Sequence, residues 1–248
     1  MRCRKCSLKS LYPLPTEKDL AIIYDNYADK GSRARVEEIR KQFVYPRKIE
    51  LLKKHTKGKR LLDIGAGLGT FVHMAQQQGF HAVGIEYEIK QCEIAKSKYG
   101  IELVNGTFEE ISSQYQNEIF DIIHMHHVLE HLISPRIVLQ KIYHLLANNG
   151  ILLIEVPNQF DNIFFKYKYL RGGKYPKYDN PLHHCYFFTP KTLRAYMIKT
   201  GFIIVTLNQY IKENEKNKCK HLIKFLFDRV GFGVSSFIEI LAIKRTRT

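Results

Sequence analysis

The sequence predicts an α/β fold built on a doubly wound, seven-stranded, mostly parallel sheet with an antiparallel edge strand. Three observations carry that expectation. The stretch Leu61-Leu-Asp-Ile-Gly-Ala-Gly-Leu-Gly-Thr-Phe71 reads as a buried strand running into three glycines spaced G-x-G-x-G and then into a helix. Glycine removes the Cβ and opens positive φ, so the backbone can approach a ligand closely at the positive end of the following helix. A second apolar run, His81-Ala-Val-Gly-Ile85, ends in Glu86, about twenty residues on, where a doubly wound fold places the acid that accepts ribose hydroxyls. Between Arg60 and Pro157, continuous apolar runs alternate with helical patterns, as in Rossmann-like sheets covered on both faces.

Taken in order, residues 1–45 read as an N-terminal extension. Cys3-Arg-Lys-Cys6 has the spacing of a zinc knuckle but supplies two of the four ligands that a structural zinc needs. Thr16 starts a helix, with Glu17 and Asp19 favourably placed in its first turn. Residues 29–45 are charged and sparsely apolar, a linker or surface helix. Pro46 opens a helix to about Thr56, with Ile49, Leu51 and Leu52 as its apolar contacts. Residues 46–157 then form the cofactor core, with strands at 60–64, 81–86, 101–105, 119–124 and 151–156. Helices fall at 69–79, 89–99, 108–114 and 135–147. Ser134-Pro135 marks a helix start and Asn148-Asn-Gly150 its end. Residues 158–188 form an irregular insert in which lysine alternates with tyrosine (Lys166 to Tyr178), either a lid over an acceptor or a surface loop. In residues 189–248, Thr189-Pro190 starts a helix that Gly201 stops. Phe202–Leu207 and Ser236–Ile243 supply two last strands, a hairpin at the sheet edge.

The net charge of +15 is unevenly spread over the 248 residues. Residues 1–60 carry 17 cations against 7 acids, and residues 61–157 carry 5 against 11. Residues 158–200 carry 8 against 2, and 209–248 carry 9 against 4. An acidic core between basic flanks suits an anionic partner: a phosphorylated glycan, an acidic membrane surface or nucleic acid. The amphipathic stretch His221 to Val230 offers either a packed terminal helix or a membrane contact. Five cysteines at scattered spacings make no disulfide framework. No apolar run approaches the roughly 20 residues of a membrane helix, and the basic N-terminus lacks a signal-peptide core. A reducing cytoplasm is the expected compartment.

In an open parallel sheet, ligands sit beyond the carboxyl ends of the strands at the switch point. Converging there are Asp63 to Gly69, Glu86 with Tyr87, and His124-Met-His-His-Val-Leu-Glu-His131. At these residues the sequence resembles the class I S-adenosylmethionine-dependent methyltransferases, from about Cys3 to the end of the chain. The resemblance is carried by Leu61 to Gly69, Val83-Gly-Ile-Glu86, Phe120-Asp-Ile-Ile123, Val128-Leu-Glu-His-Leu132, Leu145 to Gly150, Val156-Pro-Asn158 and Phe188-Thr-Pro-x-Thr-Leu193. It implies that Asp63, Gly65 and Gly67 surround the methionine part of S-adenosyl-L-methionine. It further implies that Glu86 takes the ribose hydroxyls, that Phe108 flanks the adenine, and that the backbone at His124 meets the amino group. Asn105 stands where such enzymes often carry an acid near the adenine. The second half, with His183-His184 before Phe187-Phe188-Thr189-Pro190, resembles members of bacterial surface-polysaccharide and quinone-type small-molecule pathways. In that group an earlier cysteine pair completes a zinc site with a pair like Cys3 and Cys6.

A hydroxyl acceptor must lose its proton, and histidine, with a pKa near neutrality, suits that task. His127, Glu130 and His131 share one face if a helical turn starts there. His131 as base oriented by Glu130 is one reading; His184, arriving from the insert, is the competing base. Glu130-His131 acting only as a structural cap of the Ser134 helix is the bland one. The same residues with His127 offer metal-ligand chemistry. Related quinone-pathway and small-RNA 2′-O-methyltransferases, however, place a glutamate where His127 stands, and no metal is assigned. The expected activity is O-methylation of a saccharide or glycan-linked small molecule, and the basic segments on either side of the core suit an anionic acceptor. RNA 2′-O-methylation is the second enzyme reading and a non-catalytic cofactor-binding protein the third.

Overall fold

The computed structural model describes residues 1–16, 18–20, 22, 36–115, 119–158, 184–210 and 237–245. Most of the lysine- and tyrosine-rich insert, the segment around Tyr24 to Tyr27 and the stretch His221 to Val230 lie outside the described residues. Nine strands are described: β1 (Lys9–Ser10), β2 (Arg60–Ile64), β3 (His81–Glu86), β4 (Val104–Asn105), β5 (Phe120–His126), β6 (Leu146–Pro157), β7 (Tyr186–Phe187), β8 (Phe202–Tyr210) and β9 (Phe237–Lys244). The helices are α1 (Tyr45–His55), α2 (Thr70–Gln77), α3 (Ile89–Tyr99), α4 (Phe108–Ile111), α5 (Pro135–Leu145) and α6 (Pro190–Lys199). A π-helical turn, Arg40–Val44, runs directly into α1.

The main sheet has seven strands in the order β4-β3-β2-β5-β6-β9-β8. Strands β2 to β6 pair in parallel, while β9 runs antiparallel to both β6 and β8. This is the expected doubly wound sheet with its edge hairpin, and the switch point falls between β2 and β5. Alternate strand residues feed two apolar layers. Leu61, Ile122 and Leu153 pack with Ile49, Leu52 and Phe71 on the α1–α2 side. Leu62, Ile123 and Ile154 pack with Val138, Leu139, Leu193 and Met197 on the α5–α6 side.

Local sequence explains most boundaries. Thr189 caps α6 with its side chain on the Thr192 N–H, reciprocated by Thr192 on the Thr189 N–H, and Pro190 fills the first turn. Thr107 and Glu110 make the same reciprocal box at α4, and Asp19 accepts from Thr16 in the N-terminal segment. Ser134 differs from expectation, since its carbonyl and not its side chain meets the first N–H groups of α5. The largest difference is at Asn148-Asn-Gly150. There α5 has already ended at Leu145, and β6 begins at the buried Leu146 opposite Phe120. The two asparagines and the glycine form an irregularity inside the strand, with Asn149 at φ 62. Leu145 and Leu146 repeat Val138 and Leu139 seven residues on, so the apolar pattern would let the helix continue, and it is the pairing of Leu146 with Phe120 across the sheet that starts the strand there. Helix 108–114 shrinks to one turn, and strand 101–105 pairs only over Val104–Asn105 at the sheet edge.

The N-terminal residues do not stand apart. β1 pairs antiparallel with β7, the Leu11 N–H donates to the Cys185 carbonyl, and Leu8 is part of the α5–α6 core layer. Cys3 is exposed and Cys6 half-buried, both as free thiols. Among the described residues, no helix is long and apolar enough to cross a membrane.

Candidate functional site

The carboxyl ends of β2, β3 and β5 meet at a loop whose shape is set by its glycines. Gly65, Gly67 and Gly69 have φ of 74°, 56° and 72°, and the Gly65 and Ala66 N–H groups both donate to the Ile85 carbonyl. A Cβ on Gly65 would stand 2.4 Å from Cγ2 of Val128, so only glycine lets the loop touch the Val128-to-His131 turn. Gly69 then enters α2 in the left-handed conformation.

Glu86 closes the other side. Its Oε2 accepts the Gly67 N–H at 2.7 Å and its Oε1 the Glu88 N–H at 2.9 Å. A carboxylate has about four acceptor sites, so two remain for a vicinal diol. Burial pushes the Glu86 carboxyl up, and the two N–H groups only partly offset it. Asn105 is committed to the backbone, donating to the carbonyls of Glu86 and Tyr87, and so braces the β3–α3 turn. Phe108 is a core residue at the start of α4.

Asp63 and His124 face each other on neighbouring strands, with Oδ1 of Asp63 2.7 Å from Nδ1 of His124. The His124 ring stacks on Phe71 at 4.0 Å, and Tyr45 of α1 packs on Phe71 at 5.4 Å. Burial pushes His124 down despite Asp63, and its Nε2 is buried with no hydrogen-bond partner. Such an orphaned polar atom, beside a cradle that a Cβ would fill and a carboxylate with spare acceptor sites, fits a nucleoside cofactor with a polar amino-acid end.

Beyond the end of β5, His127 adopts φ 57, and a 3₁₀ turn, Leu129–His131, follows. Oε1 of the buried Glu130 lies 3.2 Å from Nδ1 of His127 and 3.7 Å from Nε2 of His131. The rings of His131 and His184 meet edge to face at 4.6 Å. The structure therefore brings His131, Glu130 and His184 together, held in part by the β1–β7 pairing and by the Cys185 thiol on the His131 carbonyl at 3.2 Å. One coordinating atom from each of Glu130, His131 and His184 lies within 4.8 Å of the others, and the same holds for His126, His127 and Glu155. Nδ1 of His127 already takes Oε1 of Glu130, and Lys48 stands against Glu155. Both donor sets are thus partly spent on contacts within the protein.

Sequence reading missed a buried charge network under α1. Lys48 is fully buried, with Nζ 3.1 Å from Glu155 Oε2 and 3.4 Å from Glu239 Oε2. Arg47 makes a two-pronged pair with Glu239 at 3.0 and 2.9 Å, and the Tyr210 hydroxyl donates to the same carboxylate at 2.9 Å. Two signals were present. Tyr45, Lys48, Ile49 and Leu52 share one helical stripe, and Glu155 and Glu239 interrupt apolar strand runs. Burial pushes His126 and His127 down, reinforced by the positive charges of Lys48 and Arg40 and opposed at His127 by Glu130.

For Glu239, burial acts upward, but Lys48 and Arg47 overcome it and hold the carboxyl at about 2 instead of 4.5. A depressed carboxyl stabilises the fold above its unfolded value, and that contribution, about 3 kcal/mol, is lost as pH falls from 4.5 towards 2. Glu86, shifted upward, acts in the opposite sense. Urea midpoints measured from pH 5.5 to 2.5 are expected to fall steeply for the wild type. Glu239→Gln should start lower and fall less. Parallel curves for the two would show that Glu239 is not held down.

A glycine cradle at the switch point, an acid at the end of the next strand and a polar turn opposite define a class of fold that binds a nucleoside cofactor at its strand ends. The chain belongs to the methyltransferase-domain family, whose model matches residues 36–207. It is an S-adenosylmethionine-dependent methyltransferase. An uncharacterised protein of Methanocaldococcus jannaschii is 24% identical over 223 residues, 90% of this chain and 98% of that one. A ubiquinone biosynthesis O-methyltransferase of Aeromonas salmonicida is 32% identical over 107 residues, but the match spans only 41% of this chain and 44% of that enzyme. The crystal structure of an S-adenosylmethionine-dependent methyltransferase from Archaeoglobus fulgidus superposes with a TM-score of 0.62 at 20% identity, covering 87% of this chain and 100% of that one.

Proposed function

We propose that the protein O-methylates a saccharide or glycan-linked small molecule, with Glu86 and the Asp63–Gly67 loop holding S-adenosylmethionine. The observation that carries this reading is the convergence of His131, Glu130 and His184 on the turn that Gly65 touches through Val128. When bound, the cofactor supplies an electrophilic methyl group on a sulfonium. A neutral hydroxyl is a poor nucleophile, and a positioned imidazole that accepts its proton contributes roughly 10²–10⁴ in rate. Glu130 faces Nε2 of His131. The carboxylate favours a proton on the nitrogen that faces it and stabilises the imidazolium formed when the ring accepts the hydroxyl proton. His184, edge-on to the same ring, is the second group able to take it.

The resemblance of part of the chain to ubiquinone biosynthesis O-methyltransferases supports a small-molecule acceptor. The basic segments on either side of the acidic core support an anionic one. Labelled S-adenosylmethionine offered with a panel of nucleotide sugars and glycans tests the acceptor class. With the acceptor in hand, His131→Ala or His184→Ala is expected to lower kcat by about 10²-fold at unchanged cofactor affinity. Wild-type rates in both variants would overturn the assignment of the base.

A further inference from the structure

The least expected backbone conformation in the site belongs to His127, a ring-bearing residue at φ 57. β5 must turn sharply there into the 3₁₀ turn, and its N–H stays anchored on the Glu155 carbonyl at 3.0 Å. Glycine makes such a turn without steric cost, whereas a histidine must be held in it by its surroundings. The hold is visible in the side chain. Nδ1 lies 3.2 Å from Oε1 of Glu130, Nε2 lies 3.6 Å from Oε1 of Glu155, and the ring meets Phe237 edge-on at 5.1 Å. Glu130 and Glu155 are both buried, and Oε2 of Glu130 has no hydrogen-bond partner. Among the described residues, the contact with His127 is therefore the one close polar contact that fixes how Glu130 presents Oε1 to His131.

We propose that His127 is a positioning residue whose ring, locked by a left-handed backbone between Glu130 and Glu155, orients Glu130 against His131. The proposal deepens the reading of His131 as the base and rests on it for its catalytic meaning. Its structural content stands apart from that reading. A side chain kept only to shape the turn would be replaceable by glycine, and one kept only as a packing wedge would cost stability when removed.

The test is His127→Gly in the full chain, read by thermal unfolding and by ¹⁵N-resolved NMR of the histidine rings, with His131→Asn used to assign the His131 signals. Relief of the left-handed backbone and loss of the Glu130 contact act on stability in opposite directions, so the unfolding temperature serves to show that the variant is folded. In the folded variant, His131 is expected to pass from one dominant tautomer, protonated on Nε2, to a mixture of both. His127→Asn tolerates the left-handed backbone and keeps a donor for Glu130, and it is expected to restore most of the wild-type tautomer. An unchanged His131 tautomer in a folded His127→Gly would overturn the proposal. Once an acceptor is known, kcat of His127→Gly should fall roughly 10- to 100-fold, with the cofactor Kd unchanged. A changed tautomer with an unchanged kcat would uphold the positioning of Glu130 and refute His131 as the base.

Discussion

Glu86→Ala is expected to weaken S-adenosylmethionine binding by about 10²- to 10⁴-fold. The carboxylate has acceptor sites left after the Gly67 and Glu88 N–H groups, and each hydrogen bond from a ribose hydroxyl to a buried charge is worth about 1.5–3 kcal/mol. Two of them give roughly 3–6 kcal/mol, at 1.4 kcal/mol per tenfold in Kd. The substitution also frees the Gly67 N–H, so the loop loses its tie to β3 in the same step. Glu86→Gln keeps an acceptor oxygen but loses the charge and is expected to fall between alanine and wild type. Titration calorimetry with S-adenosylmethionine measures both variants. Stability should move little, because burial already disfavours the ionised carboxyl. A Kd within threefold of wild type for the alanine variant would mean that the ribose lies elsewhere.

The order of strands from Arg60 to Pro157, the glycine cradle and Glu86 were legible in the sequence because each rests on a local signal: an apolar run, a glycine that a turn requires, an acid at a strand end. The Glu130–His131 turn was legible for the same reason. Three features were not. β6 begins at Leu146 because Phe120 receives it across the sheet, and strand pairing between distant segments has no local signature. Asp63 meets His124 only through the register of β2 on β5. The partners of Lys48 come from β6 and β9, which lie more than a hundred residues downstream. In the sequence, Lys48 reads as one more cation in a basic segment; only its place in the stripe of Tyr45, Ile49 and Leu52 sets it apart. His127 was seen as a departure from a glutamate, yet its positive φ is a property of the turn and not of the residue type.

Lys48→Met is expected to destabilise the fold by about 3–5 kcal/mol, the usual consequence of removing one partner from a buried ion pair. Arg47 and Tyr210 still serve Glu239 in the variant, so the uncompensated charge falls mainly on Glu155. For a chain of this size the loss corresponds to roughly 10 °C in Tm. Lys48→Met combined with Glu155→Leu removes the charge on both sides and is expected to recover much of the loss, since an apolar pair of similar volume often matches a buried ion pair. Function need not follow stability. The double variant keeps α1 on the sheet, where Tyr45 packs on the Phe71 ring that covers His124. It removes, however, the carboxylate that faces His126 and His127. Recovered stability without recovered turnover would separate the fastening of α1 from the ordering of the histidines, and recovery of both would confine Glu155 to the first role.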